Sequence, residues 1–140
     1  LCFLRPTLIY GKDDPHNGYG PNQFRNLVEQ RKDIVLFGEG EELRDHVYID
    51  DVAELAARIL LRKSFGSLNA ATGKVVSFRD CAEKIISLYD SKSNIITRKR
   101  DMPMPHNGYR AFDSTLTKLS FPDFSYIEPL DGFIKVSKLS

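Results

Sequence analysis

Tryptophan is absent from the 140 residues, and cysteine and methionine each occur only twice. Cys2 and Cys81 are too few and too far apart for a disulfide framework or a zinc site, and they fit a reducing, cytoplasmic setting. No apolar run approaches the roughly 20 residues that a membrane-spanning helix needs, and no basic-then-apolar leader opens the chain. An excess of one charge is also lacking. Twenty Lys+Arg against 19 Asp+Glu leave a formal charge of +1, too little field to grip a phosphate polymer or an anionic membrane. A general nucleic-acid or membrane binder is therefore not expected. No methionine precedes Met102, and the opening Leu-Cys-Phe-Leu-Arg-Pro already reads as a strand, so the expectation is a piece of a longer protein. What remains, 41% apolar and 28% charged residues without repeats or low-complexity tracts, suits one globular domain.

Residues 2–10 (CFLRPTLIY) are nearly continuous apolar and β-rich, as in a strand buried on both faces. Pro6 conflicts with that reading. It lacks the N–H a ladder needs, so it marks a bend, a bulge or an edge. Residues 11–21 are a loop by composition. A helix follows to Gln30, with Phe24, Leu27 and Val28 on one face. Ile34–Phe37 reads as a strand, Gly38-Glu39-Gly40 as a turn and Arg44–Ile49 as another strand. The clearest helix has Asp50 or Asp51 as its cap, Glu54 in capping-box spacing, and Val52, Leu55, Ala56, Ile59 and Leu60 at helical intervals. A strand at Leu68–Ala70 precedes a second amphipathic helix, opened by Ser77 with Asp80 and faced by Phe78, Cys81, Ala82, Ile85, Ile86 and Tyr89. Asn94–Thr97 is a strand and residues 102–108 a Pro-rich loop. Asp113 caps a short helix, and Pro129 suits the first turn of a last one. Strands alternating with helices predict an α/β fold with parallel strands. Alternation along Arg44–Ile49 predicts that His46 and Tyr48 face away from the core.

The chemistry that is absent is as informative. A dinucleotide fingerprint needs glycines that let backbone amides approach a pyrophosphate at a helix N-terminus. Gly18 and Gly20 are followed at the third position by Gln23, and Gly38 and Gly40 by Leu43, so neither pair fits. No tyrosine has a lysine four residues later. No Ser lies in a G-x-S-x-G setting, and Asp13, Asp14 and His16 lack the further ligand a metal site requires. By itself the chain has no visible means for hydride chemistry.

Three segments carry a resemblance: Arg5-Pro6-Thr7-Leu8-Ile9-Tyr10-Gly11, Val35-Leu36-Phe37-Gly38-Glu39-Gly40, and Arg44-Asp45-His46-Val47-Tyr48-Ile49-Asp50-Asp51-Val52-Ala53. In this order and spacing they resemble the distal half of an extended short-chain dehydrogenase/reductase, in the NAD-dependent nucleotide-sugar epimerase/dehydratase family. Arg98-Lys99-Arg100-Asp101-Met102-Pro103 and Asp113–Leu119 are similar to that family's closing Arg-x-x-Asp loop and following helix. The resemblance implies the distal strands of a Rossmann-type parallel sheet merged with a small α/β substrate-binding lobe. Residues 1–12 and 45–75 would supply the strands and crossover helix, and 13–44 and 76–140 the lobe. It also implies a homodimeric parent enzyme, an epimerase, dehydratase or reductase using NAD or NADP on a nucleotide-diphosphate sugar. The glycine fingerprint and the catalytic Tyr and Lys would lie outside this chain, leaving it inert alone. The strand at Cys2–Ile9 would then lack a neighbour on one side, and exposed apolar edges invite pairing, so self-association is also expected.

The resemblance also assigns residues. It matches Arg44 and Arg98 to arginines that clamp the diphosphate, and guanidinium forks do suit phosphate oxygens. It matches Asp101 to an acceptor for ribose hydroxyls, Phe37 to an aromatic against the base, and Pro6 to a contact with the nicotinamide. Each has a plainer alternative. Arg44 can pair with Asp45 or a neighbouring carboxylate, Arg98 can sit in an exposed charged turn, Asp101 can form an Asx turn, and Phe37 can be core. One position departs from the family: Leu8 stands where members commonly carry a substrate-contacting Asn. That leaves an extended reductase with a non-nucleotide substrate, or a non-catalytic partner-binding module, as rival readings.

Overall fold

The computed structural model describes residues 1–139. In chain order the elements are β1 (Cys2–Pro6), β2 (Leu8–Tyr10), α1 (Pro21–Glu29), β3 (Ile34–Phe37), β4 (Leu43–Arg44), β5 (His46–Tyr48) and α2 (Ile49–Leu61). There follow β6 (Gly66–Ala70), β7 (Val76–Ser77), α3 (Phe78–Leu88), β8 (Ile95–Arg98), β9 (Tyr109–Arg110), α4 (Thr115–Ser120) and α5 (Pro129–Ser137). The pairs β1–β6, β2–β5 and β3–β8 are all parallel. β4 lies between β7, antiparallel to it, and β9, parallel to it. The α/β architecture with parallel strands expected from the sequence is what the chain forms.

The apolar run at residues 2–10 is two strands rather than one. β1 pairs with β6 up to Pro6, and β2 then pairs with β5. Thr7 bridges the two: its N–H donates to the Ala70 carbonyl (3.1 Å) and its hydroxyl to the Asp45 carbonyl (2.8 Å). Pro6 sits at this change of partner, where a missing N–H costs least. Nor is β1 buried on both faces. Cys2 and Leu4 pack inward, while Phe3 is 58% exposed.

Two apolar clusters hold the elements. Tyr10, Phe24, Ile34, Leu36, Tyr48, Phe78, Cys81, Ile85 and Phe133 join α1, α3, α5 and β3, and Leu55, Ile59, Leu68, Phe121 and Phe124 join α2, β6 and the end of α4. Each fully buried aromatic or branched side chain contributes roughly 1.5–3 kcal/mol. α3 begins as its sequence predicts, with the Ser77 hydroxyl accepting from the Asp80 N–H at 3.0 Å. Pro129 occupies the first turn of α5; Ser114 rather than Asp113 holds the cap position of α4, with Asp113 one residue before it accepting from the Thr115 N–H at 2.8 Å. The Gly38–Gly40 turn needs its glycines, since both take left-handed backbone angles (φ 61° and 75°).

Three further expectations are corrected. His46 and Tyr48 do not face away from the core, because β5 is covered on both faces. Tyr48 packs 5.6 Å from Tyr10, and His46 lies 5.9 Å from Phe78. The stretch Arg44–Ile49 is not one strand. It breaks at Asp45, whose buried carboxylate accepts from the Thr72 N–H and hydroxyl and the Gly73 N–H at 2.8–3.1 Å. Neither Asp50 nor Asp51 caps α2. Tyr48 occupies the cap position, Asp51 instead accepts from the Ile127 N–H (2.8 Å), and Glu54 pairs with Arg58.

Candidate functional site

The break at Asp45 and the change of partner at Pro6–Thr7 bring strand ends together around an open cleft of about 420 Å³. Pro6, Thr7, Leu8, Tyr19, Glu42, Arg44, Phe78, Pro105, His106, Arg110 and Phe112 line it. Tyr19 is fixed there by ring contacts to Phe24, Phe37 and Phe78 and accepts from the Phe37 N–H at 3.3 Å. Burial pushes its phenol above the usual value. The loop 11–20 is tied down by α1: the Asn22 carboxamide accepts from the Gly11 N–H (3.2 Å), and Arg25 donates to the Gly11 carbonyl (2.7 Å).

Arg44 is the buried cation of this cleft, 6% exposed. Its guanidinium donates to the Leu43 carbonyl (2.8 Å), to the Pro105 carbonyl (3.1 Å) and to the Glu42 carboxylate. Glu42, itself buried, also accepts from Arg100 at 2.9 Å, so one carboxylate serves two guanidinium groups. Burial, then Arg110 and Arg100, lower the Arg44 pKa, yet a guanidinium stays protonated. Arg100 also donates to the Phe37 carbonyl (3.3 Å) and lies 6.0 Å over the Phe37 ring. A continuous line of contacts therefore runs Phe37, Arg100, Glu42, Arg44. Such an arrangement can receive an anion beside an aromatic face.

The sequence-derived residues separate in space. Pro6 and Arg44 line the cleft, and Leu8 lies there too, 45% exposed. Phe37, 40% exposed, stands beside it in contact with Tyr19. Arg98 does not join Arg44: it is exposed at the end of β8, in register with Phe37, and its backbone carbonyl accepts from the Gly38 N–H at 2.8 Å. The guanidinium that meets Arg44 through Glu42 is Arg100, two residues beyond the end of β8. Asp101 is exposed and outside the cleft lining. Of the two partners considered for Arg44, the neighbouring carboxylate is the one used. It is Glu42, with Asp45 committed to Thr72 and Gly73. Sequence reasoning missed Arg100, Arg110, His106 and Tyr19. Nothing local to Arg110 signals its approach to Arg44, whereas Arg100 lay inside a basic run already noticed.

A dinucleotide needs a glycine turn from strand into helix. The two direct strand-to-helix junctions among the described residues, Tyr48–Ile49 and Ser77–Phe78, contain no glycine. The residues present therefore do not form a pyrophosphate cradle, and Pro6 is the single assigned cofactor contact at the cleft. Among the described residues no group of His, Cys, Asp and Glu is placed to hold a metal ion, and no helix is long and apolar enough to cross a membrane.

Comparison with known proteins identifies the family and the fold. The sequence pattern of the NAD dependent epimerase/dehydratase family matches residues 1–71, and the chain belongs to this family. It is 33% identical over 82 residues to the dTDP-D-glucose 4,6-dehydratase of Dictyostelium discoideum, covering 52% of this chain and 19% of that protein. It is 31% identical over 121 residues to a trifunctional UDP-glucose 4,6-dehydratase/UDP-4-keto-6-deoxy-D-glucose 3,5-epimerase/UDP-4-keto-L-rhamnose-reductase of Arabidopsis thaliana, covering 77% of this chain and 18% of that protein. Among solved structures, the UDP-glucose 4-epimerase of Thermus thermophilus in complex with NAD superimposes with a TM-score of 0.79 at 23% identity, over 98% of this chain and 45% of that one. The Thermotoga maritima UDP-glucose 4-epimerase with UDP-glucose gives 0.78 at 21% identity, over 98% and 44%. The chain thus spans less than half the length of the structures it matches, and its fold is part of an epimerase's Rossmann-type fold.

Proposed function

We propose that this chain is the substrate-binding portion of an NAD(P)-dependent enzyme that epimerises, dehydrates or reduces a nucleotide-diphosphate sugar. The observation that carries this reading is the cleft at Arg44, where buried and half-buried guanidinium groups share a single carboxylate. Residues 1–12 and 45–75 act as strands and crossover helix of the Rossmann-type part, and 13–44 and 76–140 as the lobe over the substrate. Arg44 holds the diphosphate, and Phe37 offers its half-exposed ring to the base. Arg98, in register with Phe37, reaches the diphosphate from the rim, and Asp101, three residues on, accepts from the ribose hydroxyls. Pro6 borders the reacting end, where a dinucleotide held by residues outside this chain presents its nicotinamide. Remote binding energy at the diphosphate then orients the sugar for transfer. The 140 residues alone carry out no catalysis, and the whole protein works as a homodimer.

A second reading is favoured by Leu8, whose aliphatic side chain offers the cleft no hydrogen bond: an extended reductase whose substrate carries no nucleotide. Calorimetric titration of the full-length protein with UDP-, dTDP- and GDP-sugars separates the two. Arg44→Ala is expected to weaken binding of the preferred nucleotide sugar by about 1.5–3 kcal/mol, the worth of a charged hydrogen bond. Arg44→Lys keeps the charge beside Glu42 and loses the fork, so an intermediate loss is expected. An unchanged dissociation constant in both variants overturns the assignment, and failure of every nucleotide to bind favours the second reading.

A further inference from the structure

Arg44 reaches the cleft with donors already in use. Its guanidinium donates to the Leu43 and Pro105 carbonyls and to one oxygen, Oε1, of Glu42. Glu42 and Arg44 are 5% and 6% exposed, yet both line the open cleft. An anion that comes to Arg44 therefore meets a carboxylate already in place. If that carboxylate stayed, two negative charges would crowd one guanidinium and repel. Binding at Arg44 is thus an exchange of one anion for another.

The way Glu42 is held allows such an exchange. Its backbone is fixed, because the Phe78 N–H at the start of α3 donates to the Glu42 carbonyl at 3.2 Å. Its carboxylate has two partners among the described residues, and both are guanidinium groups. Oε1 takes Arg44, and Oε2 takes Arg100 at 2.9 Å. Since each oxygen serves a different arginine, Glu42 can release Arg44 and keep Arg100. The freed oxygen then faces an open cleft, where water satisfies it. One oxyanion replaces another at Arg44, so only the difference between the two appears as affinity. A bare phosphate gains little from this exchange. A ligand with contacts elsewhere in the cleft gains the rest from those contacts.

We infer that Glu42 is a resident counter-anion of Arg44, an autoinhibitory contact that a ligand's phosphate displaces. This rests on the proposed role of Arg44 toward a diphosphate. Glu42 lowers by one common factor the affinity of every ligand that binds through Arg44, and it keeps free phosphate anions from filling the cleft. It also pairs a buried cation while no ligand is bound, which avoids the cost of leaving that charge alone. The opposite role, a support that aims Arg44 at the ligand, predicts the opposite sign for the same substitution.

Calorimetric titration of the full-length protein with inorganic diphosphate, UDP and UDP-glucose, or with the dTDP or GDP series where that base is preferred, tests this. Glu42→Gln keeps the shape and removes the charge. It is expected to bind UDP and UDP-glucose about tenfold more tightly than wild type, by the same factor for both. Inorganic diphosphate should gain likewise. The gain should vanish in the Arg44→Ala background, because the competition is for that guanidinium. Glu42→Asp keeps the charge on a stem one methylene shorter, so its grip on Arg44 is weaker and a smaller gain is expected. It carries the test if Glu42→Gln fails to fold. Weaker or unchanged binding in a folded variant overturns the inference. So does a gain that persists without Arg44, which would mean a general charge effect. In either case a loss of UDP affinity in Arg44→Ala alone leaves the proposed function standing. If Arg44→Ala binds UDP as wild type does, or the wild-type protein binds no nucleotide, the proposed function fails first and the inference falls with it.

Discussion

His46 offers a test of the core in which the structure supplies the magnitude. Its ring is 1% exposed, lies against Phe78, and has no hydrogen-bond partner at either nitrogen among the described residues. Burial, and secondarily the positive charge of Arg44, push its pKa down from 6.5 to about 4. The folded chain therefore binds fewer protons here than the unfolded one across that window. Stability from this site is complete above the unfolded value and is lost as pH falls from about 6.5 to about 4. At 1.36 kcal/mol per pKa unit the full loss is about 3 kcal/mol. His46→Phe removes the titrating group, and because the neutral ring makes no hydrogen bond, its stability at pH 7.5 should equal or exceed wild type. Urea unfolding followed by tyrosine fluorescence is suited to a chain with six tyrosines and no tryptophan. Measured at one protein concentration, the difference between wild type and variant cancels Asp45, whose pKa burial raises, and every other acid-range group. That difference should widen by about 3 kcal/mol between pH 7.5 and 4. A difference independent of pH would refute the reasoning.

Two further outcomes concern other parts of the molecule. Asp45→Asn puts an amide donor where the Thr72 and Gly73 N–H groups and the Thr72 hydroxyl now converge on a carboxylate, and should cost about 2–3 kcal/mol. An unshifted urea midpoint rejects this account of the break between β4 and β5. The chain is also expected to self-associate through the edge of β1, where Leu1 and Phe3 stand 91% and 58% exposed. Sedimentation velocity at rising concentration reads this directly, and a single monomer boundary at high concentration counts against it.

The sequence by itself determined most of what is local. Apolar spacing along α2 and α3, the Ser77 cap, the prolines opening α1 and α5, and the glycine turn at residues 38–40 each depend on residues within four positions of one another. Their physics is complete within a short window. The family pattern was legible for the same reason, as a series of short segments. His46 and Tyr48 were misplaced because alternation marks a solvent face only when one side of a strand is open, and coverage by Phe78 and α5 comes from far along the chain. The break at Asp45 likewise depends on Thr72 and Gly73. Only the tertiary structure decided which guanidinium groups meet. Glu42 gathers Arg44 and Arg100, and strand register sets Arg44 beside Arg110. The Glu42–Arg44 pair is local, two residues apart, but the arrival of Arg100 at the same carboxylate, 58 residues away, is settled by long-range pairing alone.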